Sequence, residues 1–272
     1  MKLGLVLGGG GARGLCFIEF CKALDELGIK PSVIAGTSIG AIIGAFYAAG
    51  FPGYEMERFL RKLTLLKIPR LVDFHLFARS ALLKGRRIEA FMRTLLRCDH
   101  FEELQIPLKV TATDYWRREQ VVFDSGPLVP AIRASMSLPA IFEPVVFNDR
   151  VLIDGGATNP LPIDIIRSEC DYLIAIDVAG SILKKNGEQI PGMFETIMST
   201  YQAMQSTIIA EKMKCAKPDL YVRPRLLNFG ILDFHREKEI RKSVRGDVYR
   251  FKRALKQELL PAFQLSQAEE LA

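Results

Sequence analysis

The chain has 272 residues and a net charge of +6, and 49% of its residues are hydrophobic and 25% charged. This is the composition of an ordinary globular protein that can fill a sizeable core, and it excludes disordered and collagen-like chains. The five cysteines are scattered without a C-x-x-C pair, which argues against a disulfide framework or a cysteine-bound metal and is typical of a cytoplasmic protein.

The chain starts with a strand and a helix. Residues 2–7 predict a buried strand, and apolar residues between positions 13 and 27 recur at i, i+3, i+4 and i+7, as in an amphipathic helix. The apolar run of the strand stops at four glycines and an arginine. We therefore expect no secretion signal at this end.

A glycine-rich loop, GGGGARG, joins these two elements at residues 8–14 and contains G-x-G-x-x-G as Gly9, Gly11 and Gly14. Consecutive glycines after a strand let backbone amides point at an anion, and the following helix adds its positive end. The loop therefore predicts an anion site, either for a nucleotide phosphate or for a transient oxyanion.

The next strand leads into a G-x-S-x-G motif formed by Gly36, Ser38 and Gly40. This spacing is typical of a nucleophile elbow, in which glycines relieve crowding around a serine on a sharp strand-to-helix turn. Two other interpretations stay open. No charged residue occurs between Lys30 and Glu55, as in a membrane span, although prolines and five glycines would make a poor anchor. The second open interpretation is a glycine-rich strand–turn–helix segment in which the serine is not a nucleophile.

A dinucleotide site would need an acidic residue at the end of this second strand, about twenty residues after the loop, to hold the ribose. The strand ends instead in Gly36, Thr37 and Ser38, and residues 13–15 lack the lysine and hydroxyl residue of a P-loop. The serine at the adjacent strand end, in the same crevice, instead favours an oxyanion site in the glycine-rich loop.

Residues 58–97 carry eleven basic residues against two acidic ones, and residues 236–258 carry nine against four. Both segments could face an anionic surface of phospholipid or nucleic acid, or could be solvated helices. Residues 65–85 mix leucine and phenylalanine with lysine and arginine. This mixture suits an interfacial cover over a site, with an ordinary helical layer as the alternative.

The remaining pattern alternates between helices and strands, which predicts one three-layer α/β domain over residues 1–272. Its only soft boundary is the loop 179–191. We predict further helices over residues 55–63, 85–96, 127–135, 194–215 and 237–260, and strands over residues 108–114, 120–124, 151–153, 172–178 and 220–223.

A nucleophilic serine needs a base, and the chain has three histidines, His75, His100 and His235. The order Ser38, Asp154, His235 is formally that of an α/β-hydrolase triad. Asp154 is the better candidate because it ends an apolar strand at the edge where Ser38 is expected, and the two glycines after it allow close backbone approach. Asp177 also ends a strand and is the second candidate for the base.

Four blocks, GGGGARG, GTSIG, ASMSLPAIF and DGG, occur in this order, and together they resemble the signature blocks of patatin-like phospholipases. The resemblance covers residues 5–164; residues 165–272 would be the C-terminal part of the same domain. It implies a central, mostly parallel sheet between helices, with neither metal nor cofactor. Mapped by position, it also implies these residues: Ser38 as nucleophile, Asp154 as base, the amides of Gly10, Gly11 and Arg13 as an oxyanion hole, Gly155 and Gly156 as motif glycines, and Pro139 near the site.

We therefore expect a serine lipid acyl hydrolase that acts on a phospholipid or another acyl-ester lipid. A lipid-surface binding or regulatory module with little turnover is the alternative. We expect a cytoplasmic protein with peripheral contact to anionic membrane, and no nucleic-acid partner.

Overall fold

The computed structural model describes residues 1–65, 85–180 and 190–259. The strands are β1 (Leu3–Leu7), β2 (Val33–Thr37), β3 (Leu108–Asp114), β4 (Glu119–Phe123), β5 (Val145–Phe147), β6 (Arg150–Asp154), β7 (Tyr172–Ile176) and β8 (Leu220–Val222). The helices are α1 (Phe17–Glu26), α2 (Ile39–Ala48), α3 (Gly53–Leu65), α4 (Arg86–Leu96), α5 (Leu128–Ser135), α6 (Met193–Cys215), α7 (Glu237–Ser243) and α8 (Arg245–Glu258).

The strands form one mixed sheet in the order β5-β6-β3-β2-β1-β7-β8, with β4 also paired to β3. The pairs in the centre, β2–β3, β1–β2, β1–β7 and β7–β8, are parallel, whereas the pairs that involve β4, β5 and β6 are antiparallel. Helices pack on the sheet, and the predicted α/β fold with a mostly parallel central sheet is confirmed.

Strand β3 positions the site because two strands share one of its edges. Strand β4 pairs along residues 110–114 and occupies one edge. On the other edge β2 pairs in parallel with residues 108–111, and β6 pairs antiparallel with residues 112–114. The two strands run toward each other along this edge, so their carboxyl ends meet.

The meeting point brings together the ends of two strands that are far apart in sequence. Thr37, the last residue of β2, lies opposite Thr111, and Asp154, the last residue of β6, lies opposite Ala112. Ser38 follows Thr37 directly. The register of β3 therefore places the serine and the aspartate next to each other.

The elbow segment lies in the core and not in a membrane. Helix α2 has only ten residues, and most of its side chains are buried against β1, β2 and β3. In the part of the chain that the structure describes, every helix is too short or too polar to span a bilayer. The apolar character of residues 32–50 reflects burial under the sheet.

Two predicted helices differ from the structure. The helix predicted from residue 13 starts as a 3₁₀ helix over Gly11–Cys16 and becomes α-helical at Phe17. The helix predicted over residues 237–260 is two helices, because Val244 leaves helical geometry at ψ 6° between α7 and α8. Strand β5 was missed since it has three residues and its central Val146 is exposed.

Several sequence predictions lie outside the described residues. The proposed cover over residues 65–85 falls almost entirely on residues 66–84, which include His75. The soft boundary at the loop 179–191 falls mostly on residues 181–189.

The close contact between α2 and the end of β1 predicts effects of different size for alanine substitutions at two glycines of one helix. A Cβ on Gly40 would lie 2.0 Å from the carbonyl oxygen of Leu7, which is backbone, whereas a Cβ on Gly44 would lie 3.2 Å from the side-chain Cγ2 of Ile34. We expect Gly40→Ala to lower the free energy of unfolding by about 3 kcal/mol through overpacking. We expect Gly44→Ala to change it by less than about 1 kcal/mol, because alanine also favours the helix.

Urea unfolding of both variants measures this difference. Equal stability of the two variants would contradict the proposed contact between Gly40 and the backbone of β1.

Candidate active site

Ser38 is held in strained geometry at the turn between β2 and α2. Its φ of 56° and ψ of −120° lie in a region that non-glycine residues seldom adopt. The backbone amide of Ser38 donates to the Oγ of Ser135 at 2.8 Å, and α2 begins directly after it. Such strain persists only where surrounding contacts hold it, and it turns the serine side chain out of the strand.

Asp154 is a buried carboxylate with defined hydrogen-bond donors. It is 2% exposed, and its Oδ1 accepts from the Gly156 amide at 2.6 Å and from the Tyr201 hydroxyl at 3.4 Å. Burial raises the pKa of Asp154 from 3.8 to about 6, although hydrogen bonds from Ser38, Gly156 and Tyr201 oppose this shift. The Ser38 side chain thus lies close enough to act as a donor to the carboxylate.

Two amides of the glycine-rich loop have no acceptor in the part of the chain that the structure describes. The amide of Gly8 donates to Ile176, that of Gly9 to Pro160 and that of Ala12 to Ile231, each through a backbone carbonyl. Among the described residues, the amides of Gly10 and Gly11 between them have no acceptor. A Cβ on Gly9 would lie 3.7 Å from the Cβ of Ser38, so the loop runs beside the serine.

The Arg13 side chain is buried against the glycine-rich loop, and Arg13 is among the residues that line the cavity at Ser38. It is 2% exposed, and its Nε donates to the carbonyl oxygen of Gly10 at 3.1 Å. Burial lowers the pKa of Arg13 to about 10, while the nearby Asp177 opposes the shift. Arg13 therefore braces the glycine-rich loop from behind, and its own amide lies inside the 3₁₀ helix, where bonds run from residue i to i+3.

The other motif glycines lie at close backbone contacts. A Cβ on Gly14 would come 2.4 Å from Ile39, one on Gly36 would come 2.7 Å from the amide of Ala41, and one on Gly155 would come 2.3 Å from the carbonyl of Thr111. Real Cβ atoms cannot approach so closely. These glycines therefore let the loop, the elbow and the segment after Asp154 pack on one another.

The histidines and Asp177 occupy other positions. His235 lines the same cavity as Ser38, but no hydrogen bond in the described part of the chain joins it to Ser38 or Asp154. His100 is exposed and pairs with Glu103. Asp177 is buried and accepts from the hydroxyl of Tyr221 at 2.6 Å and from the amide of Ala179 at 2.8 Å.

A cavity of about 680 Å³ opens at Ser38 and Asp154. This volume lies within the range of small-molecule sites, and apart from these two residues and the glycine-rich loop the lining is largely apolar. The apolar side chains that line it come from α2, α3, α4 and the segment around the exposed Pro139: Ile39, Ile42, Ile43, Phe46, Met56, Phe59, Leu60, Ile88, Phe91, Met92, Leu95, Leu138, Ile141 and Phe142.

Two residues of α6 at the site were missed by sequence reasoning. Tyr201 bonds to Asp154, and the Nε2 of Gln205 donates to the carbonyl of Gly156 at 3.2 Å. Both lie more than forty positions from their partners along the chain. No local pattern distinguishes them from the other polar residues of a long helix.

A family model for patatin-like phospholipase matches residues 5–167, which is more than half of the chain. The chain therefore belongs to the patatin-like phospholipase family, and the resemblance inferred from the four motif blocks is confirmed.

Curated relatives come from bacteria, fungi and animals. An uncharacterised NTE family protein of Mycobacterium tuberculosis is 37% identical over 66% of this chain and 50% of its own length. A patatin-like phospholipase domain-containing protein of Caenorhabditis elegans is 33% identical over 88% of this chain and 20% of its own. The lysophospholipase NTE1 of Kluyveromyces lactis is 30% identical over 88% of this chain and 18% of its own length. The chain thus spans half or less of the length of these relatives.

Among solved structures, VipD from Legionella pneumophila matches with a TM-score of 0.50 and 12% identity, over 92% of this chain and 66% of VipD. At this identity the match supports the shared fold alone.

The buried carboxylate predicts a pH-dependent effect of Asp154→Asn on stability. The folded protein keeps this proton up to about pH 6 whereas the unfolded chain loses it near pH 4, so wild-type stability falls as the pH rises through this window. Asparagine does not titrate. We therefore expect the stability of Asp154→Asn relative to wild type to rise by about 2 kcal/mol between pH 4 and pH 7.

Chemical denaturation of both proteins at several pH values tests this. A stability difference that stays constant over this range would show that Asp154 is not a desolvated acid.

Proposed function

We propose that the protein is a serine lipid acyl hydrolase that cleaves fatty-acyl esters through a Ser38–Asp154 dyad. The observation that carries the proposal is the placement of Ser38 beside the buried Asp154 carboxylate, next to two amides that have no acceptor among the described residues, in a largely apolar cavity. Membership of the patatin-like phospholipase family and the relative named lysophospholipase support the same class of reaction.

In the first half-reaction Asp154 accepts the hydroxyl proton of Ser38 while Oγ attacks the ester carbonyl carbon. A carboxylate is usually a weak base, but burial raises the pKa of Asp154 to about 6, which brings it closer to the operating range of a general base. The tetrahedral intermediate collapses when the C–O bond to the alcohol breaks. The proton on Asp154 passes to the departing oxygen, and the acyl group stays on Ser38.

The oxyanion of that intermediate needs donors. The amides of Gly10 and Gly11 are the candidates because they have no acceptor among the described residues and their loop runs beside Ser38. A well-placed donor contributes about 3 kcal/mol to transition-state stabilisation. Arg13 is also a candidate through its amide, but we assign it chiefly to bracing the loop through its bond to Gly10.

In the second half-reaction a water molecule attacks the acyl-enzyme. Asp154 takes the water proton and then returns it to Ser38 Oγ as the fatty acid leaves, so the enzyme regains its starting state. The apolar walls contributed by α2, α3 and α4 suit an aliphatic acyl chain better than a polar substrate.

Removal of the nucleophile is the direct test of the proposal. We expect Ser38→Ala to lower kcat on a long-chain acyl ester by at least about 10⁴-fold, because the covalent pathway is lost while the fold is kept. The release of fatty acid from a panel of phospholipids and lysophospholipids measures this. Activity of Ser38→Ala equal to that of wild type would refute the mechanism.

A lipid-binding module without turnover is the competing function. Labelling with a fluorophosphonate probe separates the two, because an activated serine reacts with the probe and a binding module does not. Wild-type protein should be labelled and Ser38→Ala should not. Unlabelled wild-type protein that still binds lipid vesicles would favour the binding module.

We also propose peripheral contact with a membrane through α6. The inward side of this helix, which includes Phe194, Met198 and Tyr201, lines the cavity, while Met193, Ile197 and Met204 on its outer side are exposed. We call these last three residues the α6 apolar face. Between residues 193 and 210 the only charged side chain is Glu195. An apolar face at the rim of an apolar cavity suits a lipid surface from which the substrate enters.

The basic C-terminal segment is less suited to this contact than its charge suggests. Arg241 pairs with Glu19, Glu57 and Glu237, and Lys252 pairs with Glu26. These pairs link α7 and α8 to the body of the protein. About half of residues 58–97, which have the larger basic excess, lie outside the described part.

Charge on the α6 apolar face should weaken vesicle binding. We expect Met193→Asp combined with Ile197→Asp to reduce sedimentation with anionic vesicles by about tenfold, because an ionised carboxylate resists transfer into the interface. Tyr249→Asp, compared with each single substitution of α6, is the control, since the exposure of Tyr249 lies between those of Met193 and Ile197 and it lies on α8. Equal loss in both variants, or loss in neither, would contradict a role for this face.

A further inference from the structure

Tyr201 is the residue of α6 that reaches the proposed base. Its hydroxyl lies 3.4 Å from the Oδ1 of Asp154, and its side chain lines the cavity. Burial and the neighbouring carboxylate raise the pKa of Tyr201 well above its ordinary value. The phenol is therefore neutral at physiological pH and serves as a hydrogen-bond donor.

The two oxygens of the Asp154 carboxylate have different surroundings. Oδ1 accepts from both the amide of Gly156 at 2.6 Å and the hydroxyl of Tyr201. Ser38 is the remaining donor to this carboxyl group. Two donors on Oδ1 restrict the rotation of the carboxylate about its Cβ–Cγ bond, and we assign Oδ2 as the acceptor for the Ser38 hydroxyl.

Gln205 holds Tyr201 and the loop after Asp154 in the same arrangement. It lies one turn further along α6 and its Nε2 donates to the carbonyl of Gly156 at 3.2 Å. Its amide also partly offsets the raised pKa of Tyr201, as a donor near the phenol oxygen does. The fit is close, since a Cβ on Gly156 would lie 2.3 Å from the Nε2 of Gln205 and 3.1 Å from the hydroxyl of Tyr201. Helix α6 is thus seated directly on the segment that carries the base.

We propose that Tyr201, supported by Gln205, is a positioning residue that orients the Asp154 carboxylate toward Ser38 and favours its ionised form. The proposal rests on the Ser–Asp function proposed above. It deepens that function because it makes α6, which lies outside the four motif blocks, part of the catalytic arrangement. Without the phenol, Oδ1 would keep the amide of Gly156 but lose its second donor, so the carboxylate would be less well oriented toward the serine and its ionised form less stabilised.

The variant Tyr201→Phe tests the proposal, since it removes the hydroxyl and keeps the ring. A hydrogen bond to a carboxylate lowers its pKa, so loss of the bond should move the acid limb of the kcat/KM profile upward by about one pH unit. We expect kcat at neutral pH to fall about tenfold, with KM nearly unchanged.

Tyr172→Phe is the matched control because the hydroxyl of Tyr172 also donates to a carboxylate, that of Glu258, at the opposite end of the parallel strands. The pH profile of Tyr172→Phe should coincide with that of wild type.

Gln205→Leu is a second test, since it removes the amide that supports Tyr201. We expect the acid limb of its kcat/KM profile to shift in the same direction as in Tyr201→Phe, by a smaller amount.

Thermal unfolding of each variant and the activity of Ser38→Ala complete the experiment. Equal activity of wild type and Ser38→Ala would defeat the proposed function itself. If hydrolysis depends on Ser38 but the acid limb of the kcat/KM profile is unmoved in both Tyr201→Phe and Gln205→Leu, only the role of Tyr201 is overturned. A fall in kcat without a shift of the acid limb would also overturn it, because that result reflects packing alone.

Discussion

The edge of β3 that β2 and β6 share is the constraint on which the rest of the site depends. Hydrogen bonding fixes the register of both strands against β3. A shift of two residues in either strand would move Ser38 or Asp154 by about 7 Å and separate them. The antiparallel part of the sheet, which departs from a simple doubly wound pattern, is therefore what brings the two residues together.

Electrostatics adds a second requirement to this geometry. A carboxylate that is 2% exposed is destabilised in its charged form, and its neighbours must compensate without removing its basicity. The amide of Gly156 and the hydroxyl of Tyr201 supply part of the compensation, and Ser38 supplies the rest. The site thus holds a buried carboxylate that is unfavourable for the fold and that would suit the proton transfer proposed for it.

Much of this arrangement could be predicted from the sequence because it is encoded locally. The elbow depends on glycines two positions from Ser38, and the loop depends on consecutive glycines after β1, so short patterns identify both. Alternation of apolar runs was enough for the α/β class. Asp154 was identified as a strand end followed by two glycines.

The rest depends on contacts between distant residues. The antiparallel pairing of β6 with β3 has no local signature, and the short β5 has too few residues to show alternation. Tyr201 and Gln205 become recognisable only when α6 is seen to pack on Gly156. The break at Val244 between α7 and α8 was likewise missed, since the charge pattern continues through it.

The contact at Gly40 also bears on how the site can move. The first turn of α2 lies directly on the end of β1, so the serine elbow and the start of the glycine-rich loop share one backbone contact with no side chain between them. Ser38 and the proposed oxyanion donors must then move as one rigid unit. Adjustment to ligands of different shape would fall to the other walls of the cavity, α3, α4 and α6, whose contributions are side chains.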